Sequence, residues 1–158
     1  MDVITHLLAG ACLGRAGLNR KTALATFTVT LAAAAPDLDM LGGLKGGVFG
    51  FAHNRGFTHS FLGIALVAPA VVGFMYTTWR LGGRKVQDPN SAPRWGWLFA
   101  FAYLGGLSHI LLDFADNYGV RPYWPLSGKW YSWDIVFVAD PIVILLLLGG
   151  LCCLRCPT

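Results

Sequence analysis

From Ser60 to Trp79 the chain runs for twenty residues without a charged side chain. A helix needs about 20 apolar residues to cross a hydrocarbon layer ~30 Å thick, so this stretch points to a membrane before any other feature is weighed. Trp95 to Leu112 has nearly the same character, with His109 as its polar intruder, and Ile135 to Leu154 makes a third candidate span, interrupted by Asp140 and Pro141. Two shorter apolar stretches, Val3 to Leu18 and Thr22 to Ala35, flank the polar turn Asn19-Arg20-Lys21 and are expected to form a helical hairpin. Within the first of them Gly10 and Gly14 follow His6 at four-residue intervals. Small residues on one face at this spacing let helices approach closely, so the glycine row is expected to serve packing.

The acids sharpen the expectation. All eight are Asp and none is Glu, the acid that soluble helices usually carry on their wet faces. Hydrophobic residues make up 55% of the chain, which excludes an ordinary soluble domain of this length. The net charge of +4 does not indicate nucleic acid, because the basic residues do not gather with aromatics on one amphipathic element. Cys12, Cys152, Cys153 and Cys156 form no disulfide framework, and the CxxC spacing of the last two lacks a second ligand pair. No cleavable leader is expected, since no basic stretch precedes the first apolar segment.

Charge placement gives a topology. Arg15, Arg20, Lys21, Arg80, Arg84, Lys85, Arg94 and Arg155 share one side with a single acid, Asp88, and the positive-inside rule makes that side cytoplasmic. Lys45, Arg55, Arg121 and Lys129 lie on the other side with Asp2, Asp37, Asp39, Asp113, Asp116 and Asp134. Every histidine falls at this second, non-cytoplasmic face. The expected architecture is all-α: an integral membrane bundle of about five hydrophobic helices with a polar metal site at one membrane face, in a single domain over residues 1–158.

Ionisable groups near membrane depth are costly, and their collection at one end is a functional signal. Histidine and carboxylate together make the donor set of a hydrolytic site for zinc, with manganese or iron as alternatives. His109 and Asp113 stand one helical turn apart and can reach one cation from the same face. Four separate segments bring His6, Asp37, His59 and His109 with Asp113 to one depth. That is more than one tetrahedral ion needs, so two or more ions are expected, with an Asp bridging a pair ~3.5–4 Å apart. Arg55 is placed to steady an anionic group as charge builds. Six Tyr or Trp residues between 118 and 133 favour an amphiphilic substrate at the interface.

"THLLAG", "PDLD", "HNRGFTHS", "GGLSHILLDFADNYGVRPYWPLS" and "WDIVFVADP", in this order, resemble the bacterial membrane-bound metal-dependent hydrolase family typified by YdjM, and more distantly the zinc-dependent phospholipase C and P1-type nuclease group. The resemblance implies metal ligation by His6, by Asp37 or Asp39, by His53 or His59, and by His109 and Asp113. Arg55 and Asp39 are the candidate catalytic side chains. Some family members are longer, so the chain is compatible with a short or truncated form. The function expected is hydrolysis of an ester-type bond, a phosphoester first, on an amphiphilic or anionic small molecule within the lipid bilayer. A metal-ion transporter and a non-catalytic membrane protein with a structural polar or metal cluster are the alternatives.

Overall fold

A computed structural model describes residues 1–46, 55–83 and 92–154. His53, Asn54, Arg84, Lys85, Asp88, Arg155 and Cys156, all used above, lie outside the described residues. Five α-helices and no β-strand are found among those described: α1 Val3–Arg15, α2 Ala25–Ala34, α3 Phe61–Thr78, α4 Trp95–Ala115 and α5 Pro141–Cys153. A π-type turn, Trp79–Gly83, prolongs α3, and two 21-residue segments, Phe61–Leu81 and Trp95–Ala115, are long and apolar enough to cross a membrane.

Side-chain caps fix where helices begin. The Asp2 carboxylate accepts the N–H groups of Ile4 and Thr5 at the start of α1, and Ser60 Oγ accepts Gly63 N–H at 2.9 Å at the start of α3. Asp140 Oδ1 accepts Ile142 N–H at 2.9 Å and Val143 N–H at 3.3 Å, with Pro141 as the first residue of α5. The third span expected from the sequence, Ile135 to Leu154, is thereby corrected. Pro141 disfavours helix in the residue before it, so only a 13-residue helix forms, preceded by non-helical chain in which Asp134 is exposed with φ 55°.

The core is built on close backbone approach. A Cβ on Gly10 would stand 2.7 Å from Thr30 Cα, and one on Gly14 would stand 2.6 Å from Thr26 Cα, so both glycines seat α1 on α2. On the other side of α2, a Cβ on Gly105 would meet the Val29 carbonyl oxygen at 2.7 Å, and one on Gly106 would meet Ile64 of α3 at 2.6 Å. α2 thus lies between α1 and α4, while α3 flanks α4 and α5 rests against α1. No residue of α5 is buried, and Ile142, Leu145 and Leu146 are each about two-thirds exposed. An apolar helix left this bare suits a lipid surrounding.

The segments that carry the polar cluster are not regular helix. After α2 the chain runs through Pro36 into a 3-10 segment, Ala35–Lys45, instead of stopping, and a short 3-10 turn, Phe57–His59, leads into α3. Gly63 permits that turn to fold onto α3, since a Cβ there would collide with the Phe57 carbonyl.

Candidate metal centre

His109 and Asp113 project from the last turns of α4, His6 from the first turns of α1, Asp37 and Asp39 from the 3-10 segment, and His59 from the turn before α3. His6, His59, His109, Asp113 and Asp116 are all fully buried. The His6 and His109 rings stack with centroids 3.7 Å apart, and His59 meets His109 edge-on at 4.7 Å. Five of the seven expected ligands are therefore gathered directly. Asp39 stands one layer behind, and His53 lies outside the described residues.

The hydrogen bonds fix which imidazole nitrogen looks inward. His109 Nδ1 lies 2.6 Å from the carbonyl oxygen of Ala33 in α2. A carbonyl can only accept, so Nδ1 carries the proton and Nε2 turns its lone pair to the cluster. The contact depends on helix register: Gly105, one turn earlier, meets Val29, one turn before Ala33. His59 Nδ1 lies 3.2 Å from Asp39 Oδ2 and 3.1 Å from Thr58 Oγ1, whose own hydroxyl donates to Asp39, so here too Nε2 faces inward. This separates the two aspartates that the sequence left as alternatives. Asp37 Oδ1 lies 3.4 Å from His59 Nε2 and 3.8 Å from His109 Nε2, whereas Asp39 holds the outer nitrogen of His59 and accepts Arg55 N–H at 2.9 Å.

Asp113 Oδ2 completes a ring of donors, 3.5 Å from His59 Nε2 and 3.3 Å from His109 Nε2. Both nitrogens and this oxygen are buried without a hydrogen-bond partner among the described residues. Two ligands about 2.0–2.1 Å from one zinc at the tetrahedral angle would themselves be about 3.3–3.4 Å apart. The donor types, spacing and unmet lone pairs therefore fit a divalent cation held by Asp37, His59 and His109, with Asp113 Oδ2 facing the same two nitrogens. A second overlapping group consists of His6, His109 and Asp113. Only one of the groups can use His109 Nε2, because Nδ1 is committed to Ala33; a second ion would depend on Asp113 Oδ1 and His6, whose Nε2 lies 3.2 Å from that oxygen.

Arg55 is engaged more fully than the sequence suggests. Its guanidinium grips Asp116 in two-pronged fashion at 3.0 and 2.8 Å, donates to the Gly119 carbonyl at 2.6 Å, approaches Asp113 Oδ1 at 3.3 Å and lies over the Tyr118 ring. The α-ammonium of Met1 contacts Asp113 and, at 2.7 Å, Asp116. In the sequence Asp116 figures only among the acids of the non-cytoplasmic side. It organises the loop after α4 by accepting Tyr118 and Gly119 N–H, and its sole sequence signal was its position three residues beyond Asp113. Asp134 and Asp140, the other late acids, are turned to solvent and to capping respectively.

The electrostatics favour positive charge at the centre. Burial alone would raise the Asp37 pKa, but His59 and the further imidazoles outweigh it and hold it below the ordinary carboxylate value. Burial likewise opposes a charged His59, yet Asp37, Asp39 and Asp113 hold its pKa above the usual imidazole value. For Asp116, burial is overcome by Arg55 and the Met1 ammonium, and its pKa falls. Arg55, despite burial, is held charged by Asp116 and Asp113. Beside the cluster opens a cavity of about 500 Å³, with Asp37, Arg55 and Tyr118 on its wall and Ile4, Met40 and Val138 at its apolar margin.

Two helices able to cross a bilayer, a bare apolar α5 and an enclosed histidine–aspartate cluster define a helical protein of the membrane class. The chain belongs to the YdjM inner membrane protein family, which it matches over residues 1–158. No curated protein and no solved structure matches it. The family match carries the membrane setting; it lends nothing to hydrolysis or to kinship with the phospholipase C and P1 nuclease group.

Proposed function

We propose that the protein is a multi-pass hydrolase of the inner membrane that cleaves an ester-type bond, a phosphoester first, with water activated by a divalent cation. The observation that carries this reading is the ring of Asp37 Oδ1, His59 Nε2, His109 Nε2 and Asp113 Oδ2, with both nitrogens and the Asp113 oxygen unpartnered, next to a cavity that could admit a substrate. A bound ion would lower the pKa of its water and polarise the bond under attack. Zinc suits the donor set, with manganese and iron as alternatives.

The chain's own groups do the rest. Ala33 and Asp39 keep the His109 and His59 lone pairs on the cluster. Asp37, on the cavity wall, is the carboxylate that would accept a hydrogen bond from the attacking water. Arg55, tied to Asp116, fixes the charge and orientation of Asp113 and is not a free anion clamp. The site belongs on the non-cytoplasmic face, because Arg15, Arg20, Lys21, Arg80 and Arg94 occupy the opposite ends of the same helices.

The test combines elemental analysis of purified protein with turnover assays on phosphomonoester and phosphodiester lipids, with and without chelator. Stoichiometric metal and chelator-sensitive turnover, both lost in folded His109→Ala, support the reading. Metal-free protein, or turnover indifferent to chelator and to His109→Ala, overturns it. Unfolding of His109→Ala together with absent turnover in the parent would assign the cluster a purely structural role.

A further inference from the structure

The donors at the centre divide into two overlapping groups, Asp37 with His59 and His109, and His6 with His109 and Asp113. Counted by side chain they suggest two ions, but counted by atom they do not. His109 offers Nε2 alone, because Nδ1 is committed to Ala33, so the second group without it keeps only His6 and Asp113. His6 Nε2 lies 3.2 Å from Asp113 Oδ1, and His6 Nδ1 is buried with no hydrogen-bond partner among the described residues. The imidazole proton therefore belongs on Nε2, donated to Asp113, and a nitrogen that carries a proton has no lone pair for a metal. Asp116 adds no free donor. Its Oδ1 accepts from Arg55, Tyr118 and Gly119, and its Oδ2 accepts from Arg55 and the Met1 ammonium.

We propose that the centre takes a single divalent ion per chain and that the Arg55 guanidinium holds the place of a second. Arg55 Nη2 stands 3.3 Å from Asp113 Oδ1 and 2.8 Å from Asp116 Oδ2, the two carboxylates a second ion would need. The Arg55 side chain is only 6% exposed, so water screens its repulsion of another cation poorly. The charge balance agrees. Asp37, Asp39, Asp113 and Asp116 are enclosed carboxylates, and Arg55, the Met1 ammonium and one divalent ion offset all of them. A second divalent ion would leave uncompensated positive charge in a buried place, which is strongly unfavourable. The inference rests on the metal centre of the hydrolase reading and not on hydrolysis, and it adds how many ions that centre holds and which residue sets the number.

The experiment uses the full chain, purified in detergent, stripped with chelator and titrated with zinc or with manganese. A single zinc per chain is expected at saturation, and bound manganese should give the resolved hyperfine spectrum of an isolated ion in electron paramagnetic resonance. Two tightly held zinc ions, a spin-coupled manganese pair or no tightly held metal overturns the proposal. Arg55→Met, which keeps side-chain length and removes the charge, should gain a second ion and show spin coupling, whereas Arg55→Lys, which restores the charge, should hold one. A folded Arg55→Met that still takes a single ion overturns the role given to Arg55. Where Arg55→Met does not fold, His6→Ala decides: retention of the single ion supports the proposal, and its loss makes His6 a ligand and overturns it. A single ion without turnover on any lipid leaves the proposal standing while the hydrolase reading fails. Two ions with chelator-sensitive turnover do the reverse.

Discussion

The two ends of the same helices handle charge in opposite ways. At the basic end Lys21 and Arg80 lie at the surface and each leans on a ring, Lys21 Nζ 6.0 Å from the Trp97 ring centre and the Arg80 guanidinium 5.8 Å from that of Tyr76. Long side chains such as these reach interface water on their own, and among the described residues neither forms an ion pair with an acid. At the other end short side chains, His and Asp, are enclosed, and each depends on several neighbours. A solitary charge that can reach water costs little and is replaceable. A buried set has to be complete, and its remaining unmet lone pairs then mark where a cation belongs.

The largest expected effect comes from breaking the enclosed end at its centre. His109→Ala should abolish metal retention and lower kcat/KM by more than about 100-fold, the upper range for losing merely an outer partner of a ligand, as read by elemental analysis and lipid turnover. Next comes Arg55→Ala, which leaves Asp113 and Asp116 without their guanidinium. A loss of about 3–5 kcal/mol in stability is expected from denaturant unfolding in detergent. Asp39→Asn, which retains an oxygen to accept the Arg55 N–H, should preserve the fold and weaken metal affinity by about 10–100-fold, since Asp39 reaches the cluster through the outer nitrogen of His59.

Acid offers a milder probe of the same end. Because the Asp116 pKa is depressed on folding, its contribution to stability is complete above the unfolded value of about 3.9 and is lost as pH falls through the lower folded value. Asp116→Asn should therefore flatten the decline of Tm below about pH 4. The smallest effect is expected at the basic end, where Lys21→Gln should change stability by no more than about 0.5 kcal/mol and metal content not at all. A Lys21→Gln effect as large as that of Asp39→Asn would erase the contrast between the two ends.

What the sequence disclosed follows from local periodicity. His109 and Asp113 had to share a face because they are four apart on one helix, and Gly10 with Gly14 had to make a flat stripe for the same reason. A place just before an apolar run suits both Ser60 and Asp140 to capping, the role each takes. The choice between Asp37 and Asp39 was not legible, since both lie in a 3-10 segment whose direction is set by contacts with α3 and Arg55. Arg55 likewise could not be assigned to Asp116, 61 residues away, until the loop after α4 was seen to fold back. The last span was overestimated because hydropathy counts Ile135 to Val138 as apolar while Pro141 sets where helix can start.

The Ala33 carbonyl that holds the His109 proton has one further implication, for genetics. No side-chain replacement on α2 can delete a backbone acceptor, so an alanine scan would pass over the group that decides which nitrogen of His109 is available. Position 33 would register only when a bulkier residue pries α2 from its neighbours. The resulting failure would resemble a packing defect, although what it disturbs is the poise of an imidazole.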